Sequence, residues 1–347
     1  MKKGKWILFA LVLFLIYKVY AILELSGVFL KIVEINTKNE EIIQSPAGIE
    51  DITIDQETGL AYLSSQDRRT LNAVGAIYLV NTKDSNVVFK DLTSKFKITG
   101  FRPHGISFVK TPQNEKFLFV ISHGNSKSEI INFKVEGDSL IFLNKYSSTE
   151  IISPNDILAL SKNQFFITND HTRKKDWLRS IGDYLKFPSG NVVYFDGEKA
   201  RIVSNGIAYA NGINLSPNGQ QIYVTSTTTN KLYIFEPNIQ SKQLEEIANF
   251  NLLFSPDNIE IKKDGNLLIA CHPKVLDFTK HALNPKKHSA SAILELKIDL
   301  NKNSLNQKTI YLNNGESISG SSVGAPFSEN KLLVGSVFEK KILRLTY

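Results

Sequence analysis

Beyond its N-terminal segment the chain places apolar side chains at alternate positions in short runs, each bounded by Gly, Pro, Asn or Asp. A period of two puts successive side chains on opposite faces of a strand, so the pattern predicts an all-β body. Five stretches share more than alternation: GIEDITIDQETGLAYLSS from Gly48, PHGISFVKTPQNEKFLFVISH from Pro103, PNDILALSKNQFFITNDH from Pro154, ANGINLSPNGQQIYVTST from Ala210 and PDNIEIKKDGNLLIACHP from Pro256. Each opens on polar residues, continues as an alternating strand, turns at Asn, Asp or Gly, and returns as an apolar strand ending in small polar residues or His. A degenerate sixth copy, SGSSVGAPFSENKLLVGSVF, starts at Ser319. A lone Asn-Asp pair such as Asn155-Asp156 reads as a capped turn; its recurrence asks for another explanation.

Anchored at Glu50, His104, Asn155, Asn211, Asp257 and Ser321, the copies are 54, 51, 56, 46 and 64 residues apart. A period near fifty made of about four short strands is that of a β-propeller blade, and six copies predict six blades. The innermost strand of each blade lines the central channel. Residues opening those strands therefore form a ring: Glu50 with Asp51, His104, Asn155 with Asp156, Asn211, and Asp257 with Asn258.

Helical periodicity is confined to two places. In HTRKKDWLRSIGDYLKFPSG, residues 171–190, Trp177, Ile181, Tyr184 and Leu185 recur at helical spacing beside Arg173, Lys174, Lys175, Arg179 and Lys186. This predicts a short basic lid helix, lying against a membrane over residues 173–187 or packed on the propeller top. A second basic insert, Lys274 to Ser291, is expected to rim the same entrance. At the N-terminus three lysines precede an apolar run from Trp6 to Ile16, extending to Leu25 if Lys18 snorkels. Residues 1–25 are thus expected to be an uncleaved signal-anchor, with cleavage after Ala21 and secretion as the alternative, and residues 26–347 a propeller on the extracytoplasmic side.

Charge changes the picture little. The formal net charge of +7 shrinks once Lys2, Lys3, Lys5 and Lys18 are set apart, leaving 37 basic against 34 acidic residues, so no nucleic-acid surface is implied. The single cysteine, Cys271, excludes an internal disulfide. The ring offers carboxylates and carboxamides with one His, a donor set that suits a hard cation, Ca²⁺ above all. Such an ion could be purely structural. His104 and His123, at the start and end of one predicted hairpin, tilt the reading toward chemistry.

FRPHGISFV, VISHGNSKSEIINF, SPNDILAL followed by TNDH, YANGINLSPNGQQIYV, SPDNIEI, IACHP and LLVGSVFEKKIL resemble the paraoxonase/arylesterase family, in order, from about Gly48 to the C-terminus. The resemblance implies a six-bladed propeller hydrolase of esters or lactones with two calcium ions in its tunnel. It implies a catalytic ion held by Glu50, Asn155, Asn211, Asp257 and Asn258, and a structural ion held by Asp51, Asp156 and the carbonyl of Ile106. His104 and His123 match a water-activating dyad, His171 and His272 match histidines near the pocket, and Tyr209 sits at an aromatic wall. Two departures stand out. The family's vertebrate members close the ring with a disulfide, which this chain must replace by strand pairing. The loop after Ser65 reads QDRRT where those members carry an aromatic lid residue. The rival readings are a gluconolactonase or strictosidine-synthase-like propeller enzyme, and a non-catalytic exported binding propeller stabilised by calcium.

Overall fold

A computed structural model describes residues 2–96, 98–124, 127–173 and 177–347. Six four-stranded antiparallel sheets are arranged radially, so the architecture is the expected all-β, six-bladed propeller. The innermost strands are Ile49–Asp55, Pro103–Lys110, Pro154–Ala159, Ala210–Leu215, Ser255–Ile261 and Ser321–Ser328. Their starting points follow the sequence repeat within a residue or two.

The core is divided in the same way. Each of six apolar clusters draws side chains from two neighbouring blades; Tyr62, Ile77 and Leu79 of the first blade, for example, pack on Ile106, Leu118 and Phe133 of the second. Each blade thus buries both of its faces against neighbours, which is why its strands read as apolar on alternate sides and no separate core exists. The ring closes without a disulfide. Glu40–Gln44 pairs antiparallel with Lys341–Leu345, so the last blade is completed by a strand from the opposite end of the chain. Cys271 is buried and free within Leu267–His272.

Every innermost strand breaks register at its start: between Ile49 and Asp51, Pro103 and Ile106, Pro154 and Ile157, Ala210 and Ile213, Pro256 and Ile259, and Ser321 and Val323. A β-bulge leaves residues unpaired and re-aims their side chains. The unpaired positions include every ring residue except Asp51, which stays in register with Ser64, and the sixth member is Ser322 rather than Ser321; Ser322 Oγ donates to the Glu50 carbonyl at 2.6 Å, whereas Ser321 remains in ladder register with Ser336. The inner strands approach so closely here that a Cβ on Gly212 would lie 2.6 Å from the Asp257 carbonyl oxygen, and one on Gly105 at 2.6 Å from that of Asn155.

Three helices decorate the ring. The first, α1, spans Lys2–Leu25, and its segment Lys5–Leu25 is long and apolar enough to cross a membrane. The chain then returns to the propeller, where Leu30, Ile32 and Ile35 pack on the cluster between the fourth and fifth blades. Helix α2, Trp177–Leu185, and helix α3, Val275–Leu283, fall in the two basic inserts. Lys174 and Lys175, part of the predicted lid, lie outside the described residues.

Because the strands are already in contact beside Gly212, the Gly212→Ala variant is expected to lose about 1–3 kcal/mol of stability through overpacking. Denaturant unfolding would show this as a lower midpoint at unchanged slope.

Candidate functional site

The bulges deliver their side chains into two layers of the channel. In the upper layer Glu50, Asn155, Asn211 and Asp257 line a cavity of about 350 Å³, together with His104, Tyr209 and His272. Asn258 joins them from the side, its amide nitrogen 3.2 Å from Glu50 Oε1. All five axial residues are buried. Two of the three carboxamides are held by the nitrogen: Asn211 Nδ2 donates to Thr227 Oγ1 at 2.9 Å, and Asn258 Nδ2 also reaches the Glu50 carbonyl. The oxygens are left over. Glu50 Oε2, Asn155 Oδ1, Asn211 Oδ1 and Asn258 Oδ1 are buried with no hydrogen-bond partner. An orphaned buried acceptor costs about 1–3 kcal/mol, so four together indicate a missing electropositive partner.

Electrostatics points the same way. Burial, reinforced by Asp257 and Asp156 and opposed by Arg68, pushes the Glu50 carboxyl up to about 8. Burial likewise raises Asp156 to about 7, with Asp257 adding to it. Asp51 is pushed well above the carboxylate range by burial and by Asp156, Glu50 and Glu260. Anionic groups so crowded favour a cation of high charge. The donor set is mixed: among the described residues no three His, Cys, Asp or Glu side chains cluster as a metal site, and the upper layer combines two carboxylates with three carboxamides. Hard, flexible all-oxygen coordination of this kind fits Ca²⁺ better than Zn²⁺.

The lower layer holds Asp51, Ile106 and Asp156 beside a second cavity of about 170 Å³. Each aspartate is clamped by two backbone N–H groups, its own neighbour's and one from the adjacent blade: Asp51 accepts from Ile52 and Ile106, and Asp156 from Ile157 and Ile213. Glu260, absent from the sequence-derived set, lines the same cavity. Its position in the middle of an ordinary alternating strand gave no signal.

His104 and His123 meet edge to face, with ring centroids 5.0 Å apart. His104 lines the upper cavity, with Nε2 3.6 Å from Glu50 Oε1. His123 stands behind it, its Nδ1 3.0 Å from Ser128 Oγ. Burial, and then the Arg68 and His123 charges, hold His104 well below the usual imidazole range, and burial lowers His123 to about 4. Both rings are therefore neutral near pH 7. The QDRRT loop explains part of this. Arg68 turns inward and donates to the carbonyls of Gly48, Val337 and Pro103, while its Nη2 lies 3.2 Å from His104 Nδ1. A guanidinium cannot accept, so Nδ1 is the acceptor and the imidazole hydrogen sits on Nε2. The sequence marked the loop only as charged.

His272 Nε2 lies 2.9 Å from Asp257 Oδ2, which orients that carboxylate. His171 is one layer back, packed edge-on against Tyr209. It bridges Asp183 of α2, at 2.6 Å, and Asp170 of the propeller, an ion pair at 3.1 Å without hydrogen-bond alignment. Arg179 adds a contact to Asp170 at 2.8 Å. Helix α2 is thus fastened by its polar side, while Trp177, Ile181, Tyr184 and Leu185 remain exposed. Helix α3 forms the opposite rim, with Leu276 and Phe278 in the cavity wall. The end of α1 completes it: Leu25 and Ser26 line the cavity, and the Ser26 carbonyl accepts from Val275 N–H at 3.1 Å.

Comparison with known proteins agrees with this geometry. The family model described as Arylesterase matches residues 19–344. Serum paraoxonase/arylesterase 1 of Homo sapiens is 33% identical over 310 residues, and serum paraoxonase/arylesterase 2 of Bos taurus 31% over 317, each match covering 85% of both chains. Among solved structures, a luciferin-regenerating enzyme superposes with a TM-score of 0.52 at 13% identity, covering 91% of this chain and 96% of its own. A putative gluconolactonase does so with a TM-score of 0.51 at 12% identity, covering 90% and 93%. At such identities these two show the propeller fold alone. With a family match spanning nearly the whole sequence and curated relatives at about a third identity, this chain is a member of the arylesterase (paraoxonase) family of hydrolytic enzymes.

Proposed function

We propose that the protein hydrolyses carboxylic esters and lactones in the upper cavity, with calcium held by Glu50, Asn155, Asn211, Asp257 and Asn258. The observation that carries this reading is the convergence of four unpartnered oxygens from those residues beside His104. Held by those residues, a calcium ion would supply Lewis acidity toward the substrate carbonyl and the negative charge that develops on its oxygen. A second ion fits the lower layer, with Asp51, Asp156 and the Ile106 carbonyl as ligands and a structural role.

The chain's own residues divide the remaining work. Tyr209, Leu276 and Phe278 exclude water from the acyl portion, and His272 holds the Asp257 carboxylate in place. His104 handles the proton of the attacking water, with His123 fixing its ring from behind. Two versions of that role differ in direction. As a general base, His104 takes the proton while the water oxygen bonds to the carbonyl carbon, and the proton later goes to the leaving oxygen. The Arg68 contact favours a second version, in which the Nε2 hydrogen is donated and His104 orients rather than deprotonates.

Membrane association follows from the same face of the molecule. We place α1 across the membrane as a signal-anchor, its lysines cytoplasmic and the propeller outside. The exposed apolar row of α2 then lies beside the point where the anchor enters the cavity wall.

Assays with phenyl acetate and a lactone panel test the chemistry. Chelation is expected to abolish hydrolysis, and calcium addition to raise the melting temperature; full activity in EDTA rules out the metal role. His104→Gln separates the two proton roles, since the glutamine amide can donate a hydrogen bond but cannot take up a proton: a loss of about 10²–10⁴ in kcat supports the base, and near-normal turnover supports the donor. For the membrane face, a chain lacking residues 1–25 is expected to bind anionic vesicles in a flotation assay, and Trp177→Ala with Ile181→Ala to weaken this at least about tenfold, each large apolar side chain contributing about 1.5–3 kcal/mol when buried.

A further inference from the structure

The upper cavity contains a charge that neither metal ligation nor proton handling uses. Lys186 follows the last turn of α2 and adopts φ 61, the left-handed conformation that usually selects glycine at a helix end. Its own amide returns to the Asp183 carbonyl at 3.2 Å, and that of Phe187 to Gly182 at 2.9 Å. Its side chain lines the cavity, and Nζ is buried with no hydrogen-bond partner. Burial alone lowers its pKa to about 8, so it remains mainly an ammonium near neutral pH.

Among the described residues, none of the carboxylates that share the cavity forms an ion pair with Lys186. Asp183 is held by His171 at 2.6 Å, Asp257 by His272 at 2.9 Å, and Glu50 by Asn258 at 3.2 Å. Leaving an ammonium dry and unpaired is unfavourable unless a ligand brings the counter-charge. The cavity that holds both Lys186 and the axial oxygens is also lined by Leu25, Leu276, Phe278 and Val337, so a ligand engaging both ends needs an apolar stem. One ammonium, without an arginine fork or a nest of backbone N–H groups, matches a monoanion better than a phosphate dianion.

We propose that Lys186 is a specificity-determining residue that receives the carboxylate at the far end of an amphiphilic acyl or lactone substrate. This rests on the hydrolase reading and narrows it to substrates carrying an ester or lactone at one end and an acid at the other.

The test uses p-nitrophenyl monoesters of straight-chain dicarboxylic acids of increasing length, each compared with the same ester whose free acid is capped as a methyl ester. At one chain length the native enzyme is expected to prefer the free acid about tenfold or more in kcat/KM, the scale of a buried charge-assisted hydrogen bond. Lys186→Gln is expected to bring that ratio to near unity, and Lys186→Arg to restore part of it. A ratio near unity in the native enzyme at every length, or one unchanged by Lys186→Gln, overturns the proposal. Calorimetry with octanedioic acid monoamide and octanediamide decides it independently of turnover: tighter binding of the acid that vanishes in Lys186→Gln supports it, and equal binding overturns it. Lys186-dependent binding of octyl phosphate that is tighter than that of the monoamide overturns the carboxylate assignment. Failure of every ester to react while the acid still binds through Lys186 defeats the hydrolase reading alone.

Discussion

Buried carboxylates that face one another in a narrow channel repel, and the centre of this molecule is built on that repulsion. Burial and mutual charge drive Glu50, Asp51 and Asp156 toward protonation, while neighbouring carboxamide oxygens have nothing to accept from. The six bulges make the conflict unavoidable, because each turns its ring residue toward the axis instead of pairing it in the ladder. Packing between blades fixes the arrangement, since every apolar cluster belongs to two blades at once and none can tilt away alone. What the hub needs is a compact positive charge with many coordination directions.

Much of this was readable along the chain. The starts of the inner strands, and hence the ring, were visible because a bulge requires polar or small residues ahead of an alternating run, and that signature repeats six times. Cys271, buried and alone, and the strand-paired closure agree with expectation. Other features depend on contacts that no local pattern encodes. Arg68 had only its charge to show; its inward course is set by carbonyls from three blades that meet at the channel mouth. Asp183 and Lys186 belong to a helix that read as amphipathic and basic, but which polar residues face inward depends on where His171 catches the helix. Ser322, one position past the expected anchor, shows that a degenerate copy blurs register even when the blade itself is clear.

The histidines illustrate how position changes meaning. In sequence, His104 and His123 are equivalent ends of one hairpin. In space, one faces the cavity with its ring tautomer set by a guanidinium, and the other supports it from behind. His171 and His272 similarly resolve into a fastener for the lid helix and a brace for a ring carboxylate.

The closing sheet carries an implication for biosynthesis. Glu40–Gln44 waits for Lys341–Leu345, about 300 residues further on, so a ribosome must deliver the chain as far as Leu345 before the circle can be completed. Until then the strand Glu40–Gln44 has no partner and the ring that brings Glu50 and Asp257 together stays open. A chain cut before Lys341 would therefore lack the partner strand and leave the axial residues without the closed ring that gathers them.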